Sequence, residues 1–372
     1  MRTLFTNCQI VTDRKIFVGN VVVDNGIITY VGINKPDFIF NNIVDCHHNY
    51  LFPGMIDIHL HGSYNYDFIN GPLDLIGQKL VREGTTSYLA SLTVVSHQRT
   101  LELLEQFDHF IVNETSANFL GVHYEGPFLS EAKKALMDPT YLRDGDENQL
   151  VEMLNHKSLK IMTIAPERDN TLNLIKKYHK KINFMIGHTN CSCLQADQAL
   201  KNGAKGFTHL YNAMSQHTHR DPGAVTSALN SNSFCELIVD GNHVDKNVIK
   251  ATYRTLGAKN IILITDAMLA KGMEDGDYVF SNLACRKIKD KVNVIASGIF
   301  AGSVITQNDA IKYMKQFTNC SIVDLATMAA KNPAKLLKVN KGIIKEGYDG
   351  DIILLNDNLD VMATYLRGKQ VY

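Results

Sequence analysis

The protein has 372 residues, of which 45% are hydrophobic and 20% charged, and its 38 Lys and Arg balance its 38 Asp and Glu. This composition is typical of a folded globular chain rather than a disordered one, and the zero net charge argues against a nucleic-acid binder. No apolar run approaches the ~20 residues of a membrane helix. The seven scattered cysteines do not suggest a disulfide framework, so we expect no membrane association and a cytoplasmic location.

Both ends of the chain are predicted to form β-strands. The sequence VGNVVVDNGIITYVG (18–32) places a DNG turn between two runs rich in Val and Ile, which is a strong hairpin signal. GDIILLND (350–357) and VMATYLRGKQVY (361–372) have the same character. The first residues contain no long apolar stretch, so we expect no signal peptide. We predict that residues 1–52 and 345–372 combine into one small β-sandwich.

Between these ends, short apolar runs alternate with amphipathic stretches of helical spacing. The eight runs that we interpret as buried strands are GMIDIH, TSYLASL, FLGVHY, LKIMTIA, INFMIGH, KGFTHL, CELIVD and NIILITD. Eight strand–helix repeats indicate a (β/α)8 TIM barrel over residues 53–344. An open doubly wound sheet is the alternative, but no strand is followed by the G-x-G-x-x-G turn that often marks it. Residues 271–300 are predicted to insert as a hairpin or lid over the last strand.

Imidazoles and carboxylates follow most of these strands, at the barrel rim where catalytic groups lie. Strand-end histidines can simply make hydrogen bonds, but both residue types also bind Zn²⁺ or Fe²⁺. In the H-x-H that follows the first strand, both side chains point the same way, so they can share one ion. The sequence therefore predicts one or two divalent transition-metal ions per chain. The strand-end residues on this rim are His59, His61, Glu125, His188, His209, Asp240, His243 and Asp266.

Asp266 is the candidate catalytic residue. Three protein ligands would leave a position for water on the metal and lower the pKa of that water toward ~7. A neighbouring carboxylate can take a proton and return it to a leaving amine. Asp266 in ITDAM could equally be a helix N-cap, and the surrounding histidines favour the catalytic interpretation.

The motifs PGMIDIHLHG, HYEGPFLS, GHTN, THLYNAMS, RDPG, DGNHV, ITDAM and AGS occur in this order. Together they resemble the N-acetylglucosamine-6-phosphate deacetylases of the amidohydrolase superfamily, over nearly the whole chain. The resemblance implies hydrolysis of the acetamide of a phosphorylated N-acetyl amino sugar to acetate and the amino-sugar phosphate. It also implies a cytoplasmic homodimer in which a neighbouring subunit can contribute to the phosphate site.

The same resemblance assigns roles to individual residues. It implies a metal held by Glu125, His188 and His209, with Asp266 as general base and then general acid. It implies a second ion at His59 and His61. The positions that it places at the substrate are Asn212, Ala213, Arg220, His243, Met137, Ala301 and Gly302.

Two segments depart from the family pattern. Met137 occupies the position of a polar His or Gln in the family, and a thioether cannot polarise a carbonyl, so a shifted loop, His123 or another group would have to substitute. Tyr64 and Tyr66 replace the usual glycines after H-x-H and would narrow that rim of the pocket.

Other functions remain open at this point. The chain could be an N-acetylgalactosamine-6-phosphate deacetylase or another amidohydrolase, such as a deaminase. Cyclic-amide hydrolases often carry a carboxylated lysine after the fourth strand, and here that strand ends in TIAPE. Met137 also raises the possibility of a catalytically weak protein that only binds amino-sugar phosphates.

Overall fold

A computed structural model describes all 372 residues, and both termini contribute to one sheet. The sequence runs rich in Val and Ile near the N-terminus form its first strands, with the DNG turn joining the second and third. The strands are β1 (Arg2–Val11), β2 (Ile16–Asp24), β3 (Ile27–Gly32), β4 (Asn42–Asp45) and β5 (Tyr50–Pro53).

The central region forms a barrel of eight parallel strands, each buried on both faces. The strands lie side by side in chain order. They are β6 (Met55–Asp57), β9 (Thr85–Leu92), β10 (Asn118–Glu125), β11 (Leu159–Ile164), β12 (Asn183–Ile186), β13 (Gly206–Phe207), β14 (Phe234–Ile238) and β15 (Ile261–Ile264), with a small ribbon of β7 (Gly62–Ser63) and β8 (Tyr66–Asp67) after the first.

The barrel closes between its last and first strands at the carboxyl-terminal rim. Leu60 and Ala267 form a parallel bridge there, and the backbone N–H of Asp266 donates to the carbonyl of His59 at 2.8 Å. The predicted TIM barrel is therefore confirmed, and its closure brings the first and eighth strand ends together.

Helices cover the outside of the barrel. Several begin at a side-chain cap, as at Ser192, where a capping box with Gln195 starts the fifth helix and Gly203 ends it in the left-handed region. No helix is both long and apolar enough to cross a membrane. The α-helices are α1 (Leu73–Leu80), α2 (His97–Asp108), α3 (Glu147–Leu154), α4 (Thr171–Tyr178), α5 (Cys193–Asn202), α6 (Ala224–Asn230), α7 (Lys246–Leu256), α8 (Gln307–Thr318), α9 (Ile322–Ala326) and α10 (Asn332–Leu337).

An antiparallel three-stranded sheet lies after the eighth barrel strand, within the segment where the sequence predicts an inserted hairpin. It consists of β16 (Gly276–Phe280), β17 (Leu283–Ile288) and β18 (Lys291–Val294). We refer to residues 276–300 as the lid. Its apolar side chains pack with Met268 and Ala301 in a core of their own.

The C-terminal strands β19 (Ile352–Leu355), β20 (Val361–Leu366) and β21 (Lys369–Gln370) complete the terminal sheet. The order is β21-β20-β19-β5-β1-β2-β3, and β4 pairs with β1 over a separate segment from β5. This sheet has its own core of 13 buried residues. The two ends of the chain thus fold into one small unit beside the barrel.

Candidate active site

A cavity of about 440 Å³ opens at the carboxyl-terminal ends of the barrel strands. Residues at or after the carboxyl-terminal ends of seven barrel strands line it, together with residues of the lid. They include His61, Glu125, His188, His209, His243 and Asp266. Barrel closure therefore gathers ligand-type side chains that are far apart in sequence.

Glu125, His188 and His209 form the tightest cluster. The Oε1 atom of Glu125 lies 2.8 Å from Nε2 of His188 and 2.7 Å from Nε2 of His209, and the two nitrogens are 3.1 Å apart. All three side chains are buried. Ligands held about 2.0–2.2 Å from a tetrahedral ion lie ~3.3 Å from each other, so this spacing suits a shared cation.

The tautomer of His188 strengthens this assignment. Its Nδ1 lies 2.9 Å from the backbone carbonyl of Lys133, which only accepts hydrogen bonds, so Nδ1 carries a proton. In the neutral ring, Nε2 then presents a lone pair to the carboxylate of Glu125. Two lone pairs at 2.8 Å repel each other, and a cation between them removes that repulsion.

His59 and His61 lie beside this cluster and also face Glu125. Nε2 of His61 is 3.4 Å from Oε2 of Glu125, and Nε2 of His59 is 3.7 Å from Oε1. The Nε2 atom of His59 is buried and makes no hydrogen bond. His59, His61 and Glu125 therefore form a second group whose ligand atoms could hold an ion, with Glu125 common to both groups.

Asp266 lies beside the two histidines of the second group. Its Oδ1 is 3.2 Å from Nε2 of His61 and 3.5 Å from Nε2 of His59. Burial alone would raise the pKa of Asp266, but the hydrogen bond from His61 and the charges of the nearby histidines lower it to about 2. Glu125 is likewise buried, and His188 and His59 bring its pKa well below the ordinary value. The cavity therefore holds two carboxylates beside its histidines, and both residue types bind divalent metal ions.

Three of these residues have strained backbones. His188, His209 and Asp266 have φ angles of 46°, 29° and 49°, in the left-handed region that residues with a Cβ rarely adopt. Such conformations cost about 1–3 kcal/mol each and concentrate at functional sites. Here they turn each side chain into the cavity directly after its strand.

The substrate-binding predictions fall into two groups. Asn212, Ala213, His243, Met137 and Gly302 all line the cavity. The carboxylate of Asp240 accepts a hydrogen bond from Nδ1 of His243 at 2.6 Å and so fixes the imidazole ring. Met137 is buried, and the backbone N–H of Val94 points to its sulfur at 3.5 Å.

The second group lies outside the cavity of its own chain. Arg220 is on an exposed loop, and Ala301 is buried behind Gly302. His123 does not substitute at the Met137 position. Its two nitrogens bond the carbonyl of Ile58 and the hydroxyl of Thr163, beneath the cavity floor.

Some lining residues were not predicted from the sequence. Phe280 and Phe300 come from the lid, and the Phe300 ring packs against His243 at 4.7 Å. Thr93 and Lys133 come from loops after the second and third barrel strands. Glu236 is fully buried below the histidines. The sequence does contain an indication of this residue, because a charged side chain inside the apolar run CELIVD needs a polar partner.

Comparison with known proteins agrees with this fold and site. The amidohydrolase family model matches residues 50–371. The chain is 33% identical to N-acetylglucosamine-6-phosphate deacetylase of Bacillus subtilis (strain 168), over 98% of this chain and 96% of that protein. It is 29% identical to the Danio rerio protein of the same name, over 100% of this chain and 96% of that one.

Solved structures give the same result. The N-acetylglucosamine-6-phosphate deacetylase of Thermotoga maritima matches with a TM-score of 0.90 and 29% identity, covering 99% of both chains. A mutant of the Mycobacterium smegmatis enzyme, in complex with N-acetyl-D-glucosamine-6-phosphate, matches with a TM-score of 0.91 and 26% identity, covering 100% of this chain and 99% of that one.

The barrel with its rim of potential metal ligands is that of a hydrolase, and the chain belongs to the amidohydrolase family. The curated relatives described above, which it matches over nearly their full length, are all N-acetylglucosamine-6-phosphate deacetylases.

Proposed function

We propose that this protein hydrolyses the acetamide of N-acetylglucosamine 6-phosphate, giving glucosamine 6-phosphate and acetate, in amino-sugar catabolism or recycling. The observation that carries the proposal is the convergence of Glu125, His188 and His209 at about 3 Å, with Asp266 facing the same cavity. The names of the full-length relatives support the substrate.

The donor set suits one or two divalent transition-metal ions, Zn²⁺ or Fe²⁺, because it consists of imidazole nitrogens and carboxylate oxygens. Glu125, His188 and His209 would hold the first ion, and His59 and His61 would hold a second that Glu125 shares. When bound, such an ion supplies Lewis acidity and makes water a stronger nucleophile near neutral pH.

Asp266 moves the proton in this scheme. Its carboxylate accepts a proton from the water that attacks the acetyl carbon. The bond between that carbon and nitrogen then breaks, and Asp266 passes the proton to the departing amine. The position of Asp266 supports this role, because its carboxylate faces the same cavity as Glu125, His188 and His209.

The sugar phosphate would lie against the side of the cavity formed by Asn212, Ala213 and His243. Asp240 holds the His243 ring in place for this contact. Lys133 also lines the cavity, where its ammonium group could contact the phosphate. Ala301 would support the loop that carries Gly302.

We also propose a cytoplasmic homodimer. Arg220 is exposed and lies outside its own cavity, although its planar fork of donors suits a phosphate. An arginine in that position agrees with a neighbouring subunit that contributes to the phosphate site. Light scattering of the purified protein would test the oligomeric state.

Acetate release and elemental analysis of the same preparation test the proposal. We expect one or two transition-metal ions per chain and acetate release from N-acetylglucosamine 6-phosphate, with N-acetylgalactosamine 6-phosphate assayed in parallel. Bound metal without acetate release from either sugar would contradict the enzyme assignment. It would favour a protein that binds amino-sugar phosphates, for which Met137 is the motivating residue.

A further inference from the structure

Glu236 is a fully buried carboxylate in the middle of the seventh barrel strand. Its Oε2 lies 3.0 Å from Nδ1 of His59, which follows the first strand, and 3.3 Å from the backbone nitrogen of His209. Its Oε1 makes no hydrogen bond, and the nearest imidazole nitrogen on that side, Nδ1 of His123, is 3.9 Å away. An ionisable group in such a place is costly unless it is paired.

The contact with His59 determines which face of that imidazole is free. An ionised Glu236 can only accept at this contact, so it places the proton of neutral His59 on Nδ1 and leaves the lone pair on Nε2. That Nε2 atom is buried, has no hydrogen bond, and is 3.7 Å from Glu125 and 3.5 Å from Asp266. The Nε2 lone pair of His59 is therefore placed to coordinate a cation between these carboxylates.

His59 depends on a side chain for this orientation, whereas His61 and His188 depend on the backbone. Nδ1 of His61 faces the carbonyl of Ser91 at 3.2 Å, and Nδ1 of His188 faces the carbonyl of Lys133 at 2.9 Å. A substitution cannot remove those carbonyls. Glu236 is thus the only side chain that bonds Nδ1 of a histidine in the His59–His61–Glu125 group.

We propose that Glu236 is a positioning residue that holds His59 ready to bind a second divalent cation. This inference rests on the proposed metal-dependent function. It goes beyond that function by naming the residue that prepares the second metal position to bind an ion. Partners of metal-bound histidines typically contribute about 10- to 100-fold to metal affinity. We expect that contribution at the second position and little at the first.

Metal titration of the apoprotein tests the inference, with Co²⁺ or Zn²⁺ as the probe and a chelator as competitor. The wild type should bind two ions. Glu236→Leu should keep the first within a few-fold and bind the second about 10- to 100-fold more weakly. Glu83→Gln is the matched control, since Glu83 is a buried carboxylate that contacts Lys271 and Tyr64 but no histidine. It should leave both affinities unchanged.

Two further measurements decide the matter if Glu236→Leu fails to fold. Glu236→Gln keeps the side-chain shape but removes the negative charge that makes the His59 imidazole a stronger ligand, so it should still weaken the second ion. In the wild-type apoprotein, ¹⁵N NMR of histidine, assigned with His59→Gln, should show the His59 proton on Nδ1. Three results would each overturn the inference. They are two ions bound with wild-type affinity by either Glu236 variant, a single ion bound by the wild type, and a His59 proton on Nε2. Acetate release is assayed separately, so failure here is distinct from failure of the proposed reaction.

Discussion

At the scale of single residues, Asp266 carries the most specific prediction. Asp266→Asn keeps the size and one acceptor oxygen but cannot accept the proton of water. General acid–base groups contribute roughly 10²–10⁴ in rate, so we expect kcat to fall about 10³-fold. Metal content should remain close to that of the wild type, because Glu125, His188 and His209 are untouched. Steady-state acetate release and elemental analysis measure the two quantities.

Asp245→Asn provides a matched control for that change. Asp245 caps α7 through the backbone N–H of Asn247, a role that asparagine also performs. Its turnover should equal that of the wild type. Wild-type turnover in Asp266→Asn would remove Asp266 from the mechanism.

At the scale of elements, the lid closes one side of the cavity. The Phe300 ring packs on His243 at 4.7 Å, and Asp290 of the lid accepts a hydrogen bond from Asn242 at 2.9 Å. Aromatic pairs contribute about 0.5–1.5 kcal/mol beyond area burial. We therefore expect Phe300→Ala to raise KM up to about 10-fold with a smaller change in kcat, as measured by initial rates over a range of substrate concentrations.

Ile288→Ala separates this effect from a general loosening of the lid. Ile288 lies on β17 of the lid, but its side chain is 59% exposed and does not line the cavity. Its KM should stay within about twofold of the wild type. An equal rise in KM for both variants would show that Phe300 acts only through lid stability.

The sequence predicts the elements of the barrel more completely than it predicts the site. All eight apolar runs are barrel strands, although β13 pairs over only two residues. Their positions at the strand ends place His59, Glu125 and Asp266 at one rim of the barrel. Residues such as Phe300 and Lys133 could not be placed, because long loops position them. Glu236 was missed because the apolar run suggested only a strand.

At the scale of the whole molecule, a buried ion pair joins the barrel to the terminal sheet. The carboxylate of Asp351 accepts from Lys341 at 2.6 Å, from Asn118 of β10 at 3.0 Å and from the backbone of Arg367 at 2.9 Å. Removing one partner of a buried pair typically costs about 3–5 kcal/mol. We expect Lys341→Met to lower the free energy of unfolding by about 3 kcal/mol, since two neutral donors remain, and urea unfolding measures it.

A half-exposed ion pair provides the comparison. Lys312 donates to the carboxylate of Asp360 at 2.6 Å, and the two side chains are 34% and 49% exposed. Exposed pairs contribute at most about 1 kcal/mol, so Lys312→Met should shift the urea midpoint little. Equal shifts for the two variants would contradict a special role for the pair at Asp351.

The same pair predicts a pH dependence. Burial alone would lower the pKa of Lys341, but the carboxylates of Asp351 and Asp349 outweigh burial and raise it. A lysine whose pKa is raised by folding stabilises the protein fully below its ordinary pKa of about 10.4. That stability is lost as the pH rises through the folded-state pKa. The difference between wild type and Lys341→Met should therefore shrink in strongly alkaline buffer.

Anomalous diffraction from a crystal grown with Zn²⁺ tests the central claim most directly. We predict a zinc peak about 2.0–2.2 Å from the Glu125 carboxylate and from Nε2 of both His188 and His209. Zinc bound elsewhere, with those three side chains unliganded at full occupancy of the metal, would contradict the account.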